Sequence, residues 1–115
     1  MNNIIYHNPN WSKSRKSVEI LKNKNIKFEI VQYLKNVPTK NDLIIVCKKL
    51  NLRPKNILRK GEKDYKENNI SNILENDDKI LDMMITFPKI IERPIIIIED
   101  KAVIGRPPEN ILDIL

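Results

Sequence analysis

The sequence predicts an α/β fold: a β-α-β half, a helical stretch, then a β-hairpin and a last helix. Three observations carry this. An apolar run at residues 3–7 stops at Asn8-Pro9 and gives way to a helical pattern. Ile26-Lys27-Phe28-Glu29-Ile30-Val31 alternates apolar and polar side chains, as a half-buried strand does. Pro94 precedes Ile95-Ile96-Ile97-Ile98, and four consecutive isoleucines suit a strand buried on both faces.

The remaining elements follow in order. Residues 12–24 read as a helix with Val18 and Leu21 on its apolar face, and Ser12 and Ser14 suit its start. Pro38-Thr39 opens a second helix, with Thr39 and Asp42 at capping-box spacing and Leu43, Cys47 and Leu50 at helical spacing. Residues 54–60 read as a short helix carrying Arg59. Residues 61–76 are polar, with a short helix expected near Ile70 to Leu74. Asp77 or Asp78 caps a helix bearing Ile80, Leu81, Met84 and Ile85, which Pro88 stops. Glu99-Asp100-Lys101 reads as a hairpin turn into Ala102-Val103-Ile104, and Pro107-Pro108-Glu109 starts the last helix. The layout is thioredoxin-like and three-layered, with a helical insertion at about 37–90 inside one domain spanning 1–115.

Composition bounds the function. The 115 residues hold 41% hydrophobic and 31% charged side chains, which are globular values. The net charge of +6 invites anionic partners, but the lysines are scattered and only 5% of residues are aromatic. Nucleic acid is therefore not expected as a partner. The single cysteine, Cys47, excludes an intrachain disulfide. With a single His as well, no metal site is expected. Cys47 falls on an apolar helix face and reads as core. No secretory pattern opens the chain and no apolar run is long enough to span a bilayer, so a cytoplasmic protein without a membrane role is expected.

The candidate site is the loop His7-Asn8-Pro9-Asn10-Trp11-Ser12-Lys13-Ser14-Arg15. A strand that turns into a helix N-terminus aims backbone N–H groups and the positive dipole end at one spot, which suits an oxyanion. Arg15 adds a planar fork of donors. Isolated arginines are ordinarily surface charges, and a lone His is ordinarily a hydrogen-bonded bystander.

This loop resembles the active-site loop of the glutaredoxin-dependent arsenate reductases. Leu58-Arg59-Lys60, Ile91-Glu92-Arg93-Pro94-Ile95 and Ile104-Gly105-Arg106-Pro107 resemble that family's three downstream arginine segments, in order and in approximate spacing. The resemblance spans residues 3 to 115. It implies a catalytic cysteine at the position of Trp11, with His7 tuning its ionisation. It also implies that Arg59, Arg93 and Arg106 hold the arsenic-bound intermediate, and that Asn8, Ser14 and Arg15 bind the oxyanion. Pro94 falls at the position of a cis-proline. No bound cofactor is implied, and glutathione and glutaredoxin act as external reductants and partners; a monomer is expected.

Trp11 is the departure. Its indole N–H only donates and is no nucleophile. An altered Cys codon, a recoded selenocysteine codon, or loss of catalysis with binding kept would each account for it. The sequence thus predicts a catalytically impaired arsenate reductase-like protein. Two alternatives stand beside it: a Spx-like RNA-polymerase-interacting regulator, against which the absent Cys pair argues, and a non-catalytic oxyanion-binding domain.

Overall fold

A computed structural model describes residues 3–115. The chain divides into two compact units, residues 1–36 with 93–115 and residues 37–92.

The first unit is built on a four-stranded sheet in the order β2-β1-β3-β4. Strand β1 (Asn3–Tyr6) leads into helix α1 (Ser12–Asn23), which returns the chain to β2 (Glu29–Val31). β2 runs parallel to β1, as a β-α-β crossover requires. β3 (Ile95–Ile98) is antiparallel to β1, pairing Tyr6 with Ile95 and Asn3 with Ile98. β4 (Lys101–Ile104) closes the hairpin. Its two-residue turn starts at Glu99 with φ 55°, a left-handed conformation uncommon for a side chain of this kind.

The isoleucine run forms the strand expected of it, with Ile95, Ile96 and Ile97 buried. Ile5, Val18, Leu21, Ile96 and Ile111 make the core, so α1 and the C-terminal segment pack onto the sheet through the residues their periodicity selects. That last segment, Pro108–Ile114, is a 3-10 helix. β2 is shorter than residues 26–31, because Ile26 is spent on the end of α1: Asn25 turns left-handed (φ 57°) and the Ile26 N–H bonds back to the Leu21 carbonyl.

The second unit is helical. α2 (Lys40–Leu50) carries the capping box read from the sequence, with Thr39 Oγ1 accepting from the Asp42 N–H and Asp42 from the Thr39 N–H. It ends on left-handed Asn51, with the Leu52 N–H bonded to the Cys47 carbonyl. α3 (Lys63–Glu67) and a 3-10 turn at Ile70–Asn72 occupy the polar stretch. α4 (Asp77–Thr86) packs on α2. Its cap is Asn76, not Asp77 or Asp78: Asn76 Oδ1 accepts the Lys79 N–H, which leaves both aspartates in the first turn, facing the positive dipole end. Residues 54–57 are a 3-10 turn that ends before Arg59. From there the Arg59 N–H bonds the Ile90 carbonyl and the Glu92 N–H bonds the Ile57 carbonyl, flanking an antiparallel bridge between Leu58 and Ile91.

Candidate active site

The loop between β1 and α1 is held by its own polar groups. Asn8 Oδ1 accepts the Asn10 N–H, and the Trp11 N–H bonds the Asn8 carbonyl. Such an Asx turn is how Asn starts a tight loop. Trp11 is the N-cap of α1 in extended backbone (φ −115°, ψ 124°), and its side chain makes no cap hydrogen bond. A helix's first N–H groups have no intrahelical partner, so here they meet the dipole's positive end uncapped by residue 11.

Ser14 and His7 form the buried polar pair behind this loop. Ser14 is fully buried and His7 nearly so. Ser14 Oγ accepts the Asn8 N–H at 3.0 Å and lies 2.6 Å from His7 Nδ1. Ser14 Oγ can accept from Asn8 and still either donate to Nδ1 or accept from it, according to the imidazole tautomer. Burial, and then the Arg15 guanidinium, hold the His7 pKa below its ordinary value. His7 is therefore neutral at pH 7. Ser14 acts as a strut between helix, strand and imidazole. The exposed Arg15 donates to the Pro9 carbonyl at 3.0 Å, tying the fork to the loop.

Three cations lie over the Trp11 ring. Arg93 Cζ is 4.6 Å from the ring centroid, Arg106 Cζ 5.4 Å and Lys13 Nζ 5.8 Å. Arg93 stands just before β3 and Arg106 just after β4, so the hairpin delivers both guanidinium groups to one point at the start of α1. The peptide bonds Arg93–Pro94 and Arg106–Pro107 are cis. Lys13 was not singled out from the sequence. Its signal was there, two residues beyond Trp11 in the first turn of α1, but it looked like one more surface lysine.

Arg59 and Cys47 belong to the other unit. The Arg59 guanidinium donates to Glu62 and has Nε 3.9 Å from Glu92 Oε1, so two carboxylates partly neutralise it there. Cys47 is 7% exposed, and burial, with Asp77 nearby, pushes its thiol up to about 11. It sits in core packing, as its helix face suggested. Among the described residues no group of three His, Cys, Asp or Glu is placed to hold a metal, and no helix is long and apolar enough to cross a membrane.

A β-α-β half joined to an antiparallel hairpin, with a cation-lined loop at the first strand–helix turn, defines a thioredoxin-like α/β protein. Within that class the chain belongs to the ArsC family, whose model matches residues 6–114. It is 40% identical to an arsenate reductase of Haemophilus influenzae, with both chains covered in full. It is 37% identical to the uncharacterized protein YfgD of Escherichia coli K12, covering 96% of this chain and 94% of that one. Among solved structures, an arsenate reductase from Vibrio cholerae superposes with a TM-score of 0.93 at 38% identity, covering 100% of this chain and 98% of the other.

Proposed function

We propose that this chain carries the oxyanion-handling apparatus of a glutathione- and glutaredoxin-dependent arsenate reductase, with Trp11 standing where that chemistry needs a thiol. The observation that supports this most is the convergence of Lys13, Arg93 and Arg106 on residue 11 at the uncapped start of α1. Three cations beside a helix N-terminus would lower the pKa of a thiol placed there and hold the charge of an attacked oxyanion. Neutral His7, braced by Ser14, adds no positive charge to the loop. The role that the resemblance implies for Arg59 is tested by arsenate turnover of Trp11→Cys combined with Arg59→Gln.

In the family reaction as the resemblance implies it, a cysteine sulfur bonds arsenic and one arsenate oxygen leaves as water. External thiols then supply the two electrons that give arsenite. Residue 11 here offers no sulfur. Cys47 is no substitute, since at pH 7 its buried thiol is almost wholly protonated. The parent chain therefore binds oxyanion without turning it over. It does so in this reading as a single cytoplasmic domain and a monomer, with no bound cofactor.

The test is arsenate reduction with glutathione, glutaredoxin and its reducing system, comparing the parent with Trp11→Cys. An inactive parent and an active variant are expected. Two inactive proteins, both folded, would overturn the reading.

A further inference from the structure

We propose that the Trp11 indole is a competing occupant of its own anion seat: a tetrahedral oxyanion reaches Lys13, Arg93 and Arg106 together only by displacing the ring. The inference rests on the oxyanion-handling reading above and says what Trp11 does within it.

Three like charges held around one point repel. Here the point is the ring centroid, 4.6 to 5.8 Å from each of them. The negative face of an aromatic ring attracts a cation within about 6 Å, so the indole offsets that repulsion in the way an anion would. An oxyanion bridging the same three groups through hydrogen bonds of about 2.7–2.9 Å would centre itself in the same space. Ring and anion cannot share it, because of their volume and because an anion is repelled by the ring's negative face. The backbone allows exchange: Trp11 is the N-cap, its side chain makes no cap bond, and it is only half-buried. Swinging the indole out would break no cap hydrogen bond.

The consequence is a site whose affinity for small oxyanions is set by competition with its own side chain. Losing a cation–π contact of this class corresponds to about a tenfold change in binding. Because Trp11 is the chain's single tryptophan, its fluorescence reports the exchange directly.

The experiment titrates the parent, Trp11→Ala and Trp11→Leu with sulfate and with arsenate by calorimetry, and follows tryptophan emission of the parent. Both variants are expected to bind about tenfold more tightly than the parent. The parent's emission is expected to move to longer wavelength in proportion to occupancy. Variants that bind as weakly as the parent, or more weakly, with emission unmoved at saturation, would overturn the proposal and make the ring a support for the arginines. Trp11→Leu keeps side-chain bulk at the loop and serves if Trp11→Ala fails to fold. Failure of this inference is distinct from failure of the reading beneath it. In the first case Trp11→Cys turns over arsenate while Trp11→Ala gains no affinity. In the second no variant binds or turns over anything, and the inference falls with it.

Discussion

Cys47 should resist alkylation in the folded chain, and the size of the effect follows from its surroundings. It packs on the buried face of α2 with Leu43 and Val46, and burial and Asp77 push its pKa from 9.0 to about 11. At pH 8 a thiol of pKa 9.0 is about 10% thiolate and one of pKa 11 about 0.1%, so the reactive fraction falls roughly 100-fold. The higher-pKa thiolate is intrinsically more nucleophilic, which offsets part of this, while the 7% exposure of the side chain lowers the rate through access. The assay is iodoacetamide alkylation at pH 8, followed by intact mass, for the folded chain and for the same chain in denaturant. A folded-state rate within tenfold of the unfolded one would refute the reasoning. It would also reopen Cys47 as a reacting thiol. The sign for stability follows from the same shift: a folded pKa raised above the unfolded one stabilises the fold below pH 9.0, and that contribution is lost as pH rises toward about 11.

Two further outcomes follow. A Cβ on Gly105 would lie 2.7 Å from Ile96 Cδ1, 2.8 Å from Ser17 Oγ and 3.0 Å from Pro94 Cγ, so Gly105→Ala is expected to cost about 1–3 kcal/mol in chemical denaturation; an unchanged midpoint would contradict it. His7 has a folded pKa below its ordinary 6.5, so the unfolded chain binds the extra proton first, and stability is lost as pH falls from 6.5 through the folded pKa. Comparing denaturation at pH 7 and pH 5 should show this loss in the parent and a smaller one in His7→Asn; equal losses would contradict the assignment.

Much of the fold was legible because its signals are local. Four isoleucines in a row, Thr39 with Asp42, and Asn8-Pro9 each name an element within a few residues, and each formed. What failed to show was decided by competition over hydrogen bonds. Asn76 outbid Asp77 and Asp78 for the cap of α4, and Ile26 went to the end of α1 rather than to β2. Of the site, His7 was legible by its place directly after the first strand, and Arg93 and Arg106 by resemblance. The resemblance brought the two arginines to residue 11, and the β3–β4 hairpin is what carries them there; Lys13 joining them on one ring was not legible. The commitment of Ser14 Oγ to the Asn8 N–H and His7 was hidden too: from sequence a serine in the first helical turn looks like an anion ligand, and here it is a buried strut.

The central claim is that the loop lacks a nucleophile and nothing else, and steady-state arsenate reduction in a graded set tests it most directly. The set is the parent, Trp11→Cys, and Trp11→Cys combined with Arg93→Gln or with Arg106→Gln. The account predicts a parent at background, turnover in Trp11→Cys, and a fall of about 100-fold or more in each double variant, the loss seen when one donor to a developing oxyanion is removed. A folded Trp11→Cys protein without turnover, or double variants as active as Trp11→Cys, would contradict it.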